Sequence, residues 1–234
     1  MKKHLLKLST FVSMPLVSLA AISCSNNQNI PPRDYEMINN ETGLAFNSEG
    51  KITKYYYFAE KNNYENIVIP EYLENNRILT SQYYGYKQRI TSISNVVFSA
   101  YTQSWNDKPI YNEYAQYLTN ITLPNSIETI GGEAFYGTPL TQIVLPDSVV
   151  DIGFGAFENC KNLESVKLSK NTKYIGDSAF RNTKLKDEFY IPDSVISIYP
   201  SAFEGTQITS VSIPKNCQYE ESSFPPGCKI TIRP

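Results

Sequence analysis

The sequence predicts a mainly β solenoid, an array of 22–23-residue coils made of short strands and turns. Three observations predict it. The first is the period. The blocks Leu118–Pro139, Leu140–Asn162, Leu163–Lys184 and Leu185–Gln207 differ in length by one residue, a degenerate fifth spans Ile208–Cys228, and Lys229–Pro234 begins a further strand. Self-similarity at such a spacing marks supersecondary units that bury their apolar faces only against neighbours. The second is an apolar row near the start of each block, Leu118/Ile121/Leu123, Leu140/Ile143/Leu145 and Leu163/Val166/Leu168, continued by Phe189/Ile191, Val211/Ile213 and Ile230/Ile232. Alternation at the end of each triplet points one strand face inward and the other outward. The third is a fixed second half: Ile127/Ile130/Phe135 recurs as Val149/Ile152/Phe157 and Val195/Ile198/Phe203, with Ala134, Ala156, Ala179 and Ala202 each before a Phe.

At the N-terminus, Lys2, Lys3 and Lys7 precede the uncharged run Leu8–Ile22, which ends in Ala21-Ile22-Ser23-Cys24. Residues 1–23 read as a secretory signal. The run is short of the roughly 20 apolar residues that span a bilayer. The Ala-Ile-Ser-Cys ending resembles a bacterial lipobox, which implies that Cys24 becomes the first mature residue and carries lipid, a palmitate-type anchor holding the protein on the extracellular face of the cell membrane. An ordinary signal with an incidental cysteine and an uncleaved anchor are the alternatives. Residues 24–40 are polar, contain Pro31-Pro32, and are expected to be a flexible tether.

Residues 41–117 are expected to hold a divergent N-terminal coil or cap. Lys51–Phe58 and Glu65–Pro70 read as strands, Ile69-Pro70 matches the Leu-Pro of the later blocks, and Ile90, Ile93 and Phe98 keep the spacing of Ile127, Ile130 and Phe135. Extra residues fall near Leu73–Gly85. An insertion, Ser99–Tyr117, holds Tyr101, Trp105, Tyr111, Tyr114 and Tyr117, and thirteen of the 18 tyrosines lie in Tyr35–Tyr117. Insertions in repeat arrays map to loops and often to a binding face, and Tyr and Trp anchor interfaces. The same rings equally suit capping of the open solenoid end. One surface serves both.

In residues 118–234, Pro124, Pro146, Pro192 and Pro214 follow the strands and, lacking an amide hydrogen, are expected to end strand pairing. Ser126, Ser148, Asn171, Ser194 and Asn216 suit tight corners in which short polar side chains bond nearby backbone. Gly131, Gly153 and Gly176 are expected to provide a bend that needs permissive dihedrals. Cys160 occupies a position held elsewhere by Thr138, Thr183 and Thr206 and reads as a small buried side chain. Cys217 and Cys228 flank a ten-residue loop turned by Pro225-Pro226-Gly227 in the C-terminal cap. Export permits a disulfide there, worth about 2–3 kcal/mol, and a cell without an oxidation system leaves it reduced. Both states stay open.

Composition excludes several functions. The single histidine, His4, lies in the leader, so a mature chain has no His triad, His general base or His ligand. Loss of Lys2, Lys3 and Lys7 takes the net charge from −2 to −5 and leaves no basic run, so a nucleic-acid footprint is absent. No phosphate loop, dinucleotide fingerprint, nucleophile elbow or calcium loop is present. Catalytic residues, metal ligands and cofactors are expected to be none.

The pattern Leu-x-x-Ile-x-Leu-Pro…Ile-Gly-x-x-Ala-Phe-x-x-Cys resembles the BspA-like leucine-rich repeats of bacterial surface proteins. The resemblance covers Leu118–Thr206 and weakens in Ile208–Cys228, which lacks the Gly and has Ser223 for Ala. It implies protein–protein binding at a cell surface, with adhesion to host glycoproteins or to other cells. The leader, with Ser23-Cys24-Ser25-Asn26-Asn27, and the heavy Asn, Lys, Ile and Tyr usage are similar to lipoproteins of wall-less, mycoplasma-type bacteria. Outward strand positions line a candidate contact face that includes Thr122, Lys167 and Tyr190. A structural or antigenically variable surface protein with no fixed ligand is the second reading. A surface hydrolase using carboxylates is the third. The expected partner is a host or cell-surface protein, together with the membrane through the anchor.

Overall fold

The computed structural model describes residues 36–39, 42–55, 66–74, 87–103, 109–111 and 115–234. The array is a β-solenoid of about 23-residue coils with almost no helix, the fold class expected from the period. Most coils contribute two strands. The leading strands are Asn66–Val68, Asn120–Thr122, Gln142–Val144, Ser165–Lys167, Lys186–Tyr190, Gln207–Pro214 and Lys229–Arg233. The second strands are Ser92–Ile93, Thr129–Ile130, Asp151–Ile152, Tyr174–Ile175 and Ser197–Ile198.

The second strands, only two residues each, form the continuous spine. They pair in parallel, coil on coil, and Lys51–Tyr55 extends the sheet antiparallel into Leu44–Phe46 and Met37–Asn39 to make eight strands. Their isoleucines (Ile52, Ile93, Ile130, Ile152, Ile175 and Ile198) are buried. The leading strands pair only in groups: Asn66–Val68 with Asn120–Thr122, Gln142–Val144 with Ser165–Lys167, and the last three together.

Behind the second strands runs a ladder of rings. Phe98, Phe135, Phe157, Phe180, Phe203 and Phe224 stack with centroids 5.2, 5.2, 5.3, 5.4 and 5.5 Å apart, nearly coplanar in orientation. Tyr55 tilts onto Phe98 at one end and Tyr219 meets Phe224 edge-on at the other. Offset-stacked rings add about 0.5–1.5 kcal/mol per pair beyond their burial. The backbone on either side of Phe135, Phe157, Phe180 and Phe203 is left-handed, and Phe98 has such a residue only before it. Two residues before the Phe stand Val96, Glu133, Gly155, Ser178 and Ser201, with φ of 54, 53, 54, 56 and 56°; two residues after it stand Gly137, Asn159, Asn182 and Gly205. Gly and Asn tolerate that region, whereas a β-branched residue such as Val96 is strained there.

Gly131, Gly153 and Gly176 are required for a different reason from the expected one. None has positive φ. A Cβ on Gly153 would lie 2.8 Å from the backbone of Gly131 and Gly132, and one on Gly176 would lie 2.6 Å from that of Gly153. Successive coils approach backbone to backbone along this row, and only a residue without a side chain fits. The corner residues also bond farther away than expected. Ser148 Oγ donates to the Ile127 carbonyl (2.6 Å), Asn171 Nδ2 to Asp147 (2.8 Å) and Ser194 Oγ to Thr172 (2.7 Å), each in the preceding coil. Proline ends strand pairing as expected: the leading strands stop short of Pro124, Pro146 and Pro192, and Gln207–Pro214 stops at Pro214 itself, opposite Arg233.

The expected tether to Asn40 stops short. Met37–Asn39 is a buried strand, because Asn39 Oδ1 accepts from Thr42 N and Oγ1 (2.9 Å each) and Gly43, at φ 73°, closes a hairpin onto Leu44–Phe46. The residues inserted after Leu73 leave and return through an antiparallel pair, Tyr72–Glu74 with Lys87–Arg89.

Candidate functional site

Parallel pairing of the leading strands carries their outward side chains into rows across the coils. Val68 is in register with Thr122, Val144 with Lys167 and Tyr190 with Ser212. Inward neighbours Ile121 and Ile143 are buried, so alternation forces the flanking positions outward. Thr122 and Lys167 are exposed, and Val68, Val144 and Tyr190 are 65, 59 and 56 % exposed. Apolar side chains at that exposure, on a rigid strand row, are what distinguishes this face from an ordinary polar surface. Asn120 Nδ2 donates to Asn66 Oδ1 (3.0 Å) in a parallel row behind it.

Where the pairing lapses between Asn120–Thr122 and Gln142–Val144, a cleft opens, lined by Asn120, Thr122, Asn125, Gln142, Val144 and Pro146. The short leading strands gave no sign of this gap in the sequence. It offers amide and hydroxyl groups beside apolar wall, a mixture suited to polypeptide contact. No titratable side chain lines it. Among the described residues, no group of three or more His, Cys, Asp or Glu side chains is placed to hold a metal ion.

At the C-terminal end of the row, Tyr190 is held rather than free. Arg233 Cζ lies 4.1 Å from its ring centroid. The same guanidinium donates to the carbonyls of Ser212 (2.7 Å) and Ile191 (2.6 Å) and pairs with Asp193. That hydrogen bond holds the Asp193 carboxyl below its ordinary range. Arg181, in the coil before that of Tyr190, contacts Glu158 (3.8 Å) and Glu204 (3.2 Å) as an ion pair rather than an aligned hydrogen bond.

The aromatic insertion is only partly described. Tyr101–Gln103 and Pro109–Tyr111 form an antiparallel pair with Tyr101 opposite Tyr111. Tyr117, half exposed, closes the 3-10 turn Ala115–Tyr117 just before the first full repeat. Trp105, Tyr114 and Cys24 lie outside the described residues. Thus Thr122, Lys167 and Tyr190 hold the equivalent outward position in three leading strands that belong to three separate sheets, and Tyr117 precedes the first of them.

Cys160, Cys217 and Cys228 carry no disulfide among the described residues. Cys217 Sγ is turned to the Gln218 carbonyl (3.6 Å), and burial pushes this thiol up to about 11. Cys160 is fully buried and donates to the Phe135 carbonyl (3.1 Å), with its pKa pushed up by burial to about 12. Thr138, Thr183 and Thr206 instead donate to the Phe three residues earlier in their own coils, to the carbonyls of Phe135, Phe180 and Phe203.

Residues 106–231 match the family model described as a BspA type leucine rich repeat region, in six copies. Among solved structures, the chain is similar to the Treponema pallidum leucine rich repeat protein (TpLRR), at TM-score 0.52 and 19 % identity, covering 86 % of this chain and 85 % of that one. It is also similar to the pneumococcal vaccine antigen PcpA, at TM-score 0.53 and 19 % identity, covering 81 % of this chain and 51 % of that one. At such identity these two likenesses speak to the fold. No curated protein matches the chain.

Proposed function

The chain belongs to the BspA-type leucine-rich repeat family, and from that premise we propose that it is a protein-binding solenoid held at a cell surface, whose leading-strand face contacts a host or neighbouring-cell glycoprotein. The observation that carries the reading is the outward row Val68, Thr122, Val144, Lys167 and Tyr190, in which apolar side chains stand more than half exposed on a ladder the repeat makes rigid. A rigid face keeps the entropic cost of binding low. The basic leader and the Ala21-Ile22-Ser23-Cys24 sequence support export and lipid attachment at Cys24. The aromatic insertion, with Tyr101, Trp105, Tyr111, Tyr114 and Tyr117 in its sequence, is a second candidate for the contact.

The test is saturable binding of protein beginning at Ser25 to immobilised matrix and serum glycoproteins. The parent is compared with a Val144→Asp, Tyr190→Ala variant and with a Trp105→Ala, Tyr114→Ala variant. Loss with the first places the contact on the strand row, and loss with the second places it in the insertion. No binding by folded parent protein overturns the reading in favour of a surface protein without a fixed ligand. The anchor is checked separately, by labelled-palmitate incorporation that Cys24→Ala abolishes.

A further inference from the structure

The second strands also have an outward face, on a different side of the coil from the leading strands. Four equivalent windows form it: Glu128–Glu133, Val150–Gly155, Lys173–Ser178 and Ile196–Ser201. Their isoleucines point into the core, so the residues on either side point to solvent. Phe154, Tyr174, Ile196 and Tyr199 are 53, 38, 43 and 49 % exposed. They lie on three successive coils of the array. Tyr174 is in register between Asp151 and Ser197, and Tyr199 N donates to the Ile175 carbonyl (2.9 Å). The Phe154 ring reaches back to within 3.6 Å of where a Gly132 Cβ would be. Between them run Gly153 and Gly176, which leave the backbone bare. An apolar patch of this kind on an otherwise polar surface marks an interaction site, and Tyr and Phe are favoured at its centre.

The charge around the patch selects the occupant. Glu128, Glu133, Asp151 and Asp177 lie in these windows against one base, Lys173. None of the four carboxylates is in an ion pair among the described residues. Asp151, partly buried and without a cation, has its pKa raised by desolvation. Unpaired carboxylates beside exposed rings attract ammonium and guanidinium groups, the first by charge and the second by stacking over the ring face. The same carboxylates repel nucleic-acid phosphate. A symmetric contact with a second copy would oppose carboxylate to carboxylate. We propose that the Phe154–Tyr174–Tyr199 face docks a basic, Lys- or Arg-bearing segment of a partner protein, independently of the leading-strand face.

The test is fluorescence anisotropy of a fluorescein-labelled polyarginine peptide, with a polyglutamate peptide as control, titrated with the full chain at physiological salt. Saturable binding of the first alone is expected. The Asp151→Asn, Asp177→Asn variant should weaken it about tenfold or more, and Tyr199→Ala, which changes no charge, should weaken it by several-fold. Glu164→Gln, Glu188→Gln removes the same charge from the leading-strand side and should leave the affinity within about twofold. Absence of saturable binding overturns the proposal. So does equal weakening by the two charge-matched variants, which would make the effect one of net charge, or parent-like affinity in a folded Tyr199→Ala protein.

Discussion

The guanidinium of Arg233 lies 4.1 Å from the ring centroid of Tyr190, two coils away along the chain, and its two nitrogens reach the carbonyls of Ser212 and Ile191. One side chain therefore ties the last strand across the two coils before it. Arg233→Ala is expected to lower the unfolding free energy by about 1–3 kcal/mol through the lost bonds to the carbonyls. Arg233→Lys should recover only part of this, because a single ammonium cannot reproduce the fork. Urea unfolding gives the magnitude. Faster amide exchange in Gln207–Pro214 and Lys229–Arg233, with the early coils unchanged, would locate it.

Gly153→Ala tests the backbone-to-backbone packing of the coils. A Cβ there meets main chain at 2.8 Å, which cannot move aside as a side-chain tip can. The expected cost is about 1–3 kcal/mol or more, the overpacking range. Gly227, where a Cβ meets nothing within 4 Å and only the φ of 81° objects, should cost about 1 kcal/mol. Thermal melts of the two variants side by side decide it, and equal losses would contradict the packing argument.

Val96 at φ 54° is a β-branched residue in left-handed backbone, partly exposed. Val96→Gly removes the steric conflict at the cost of unfolded-chain entropy, and Val96→Asn removes much of it with less such cost. Val96→Asn is expected to raise stability by about 1 kcal/mol. A lower melting temperature would mean that the Val96 side chain contributes more by packing than its backbone costs.

Asp151 makes acid and neutral stability differ. Its folded pKa is raised by desolvation, so its ionised form destabilises the fold. That penalty is complete above the folded pKa and vanishes below the unfolded value of about 3.9. Asp151→Asn should therefore raise the melting temperature at pH 7, and the gain should close as pH falls below about 4. Asp193 runs the opposite way. Its folded pKa is lowered by Arg233, so its contribution is present at neutral pH and lost as pH falls through the folded value.

Cys160, with its thiol pushed to about 12, should not react with Ellman's reagent at pH 8 in folded protein, while the half-buried Cys228 should react first. Counting thiols before and after adding denaturant checks this. Rapid labelling of Cys160 in folded protein would mean that the array opens locally.

The coil architecture was legible because each apolar position recurs and one period fixes all of them. The spacing from Ile130 to Phe135 identified Phe98 as the matching ring of the divergent coil. The second-strand sheet was not legible, since two-residue strands such as Thr129–Ile130 are too short to show alternation. The left-handed backbone around Phe135, Phe157, Phe180 and Phe203 was not read from the sequence, although Gly137, Asn159 and Asn182 carry a signal for it. The position two residues before the Phe holds Val96, Glu133 and Ser178, which share no signal for that conformation. The glycine row was visible, but its cause was not, because a close approach between coils is a property of two coils together. Of the contact row, alternation placed Thr122, Lys167 and Tyr190 outward. Arg233 lies 43 residues from Tyr190, and nothing local in the sequence connects them.

The inter-coil hydrogen bonds, such as Gly153 N to Ile130 O and Gly176 N to Ile152 O, run along the stacking axis, as does the ladder of phenylalanine rings. A pull along that axis loads one coil boundary at a time instead of shearing many bonds at once. The solenoid should therefore yield under tension in equal steps. Each coil would release about 70–80 Å of chain, from roughly 3.3–3.6 Å per residue over one period. A protein built this way can lengthen by whole coils under load while the coils that remain keep their contact surface.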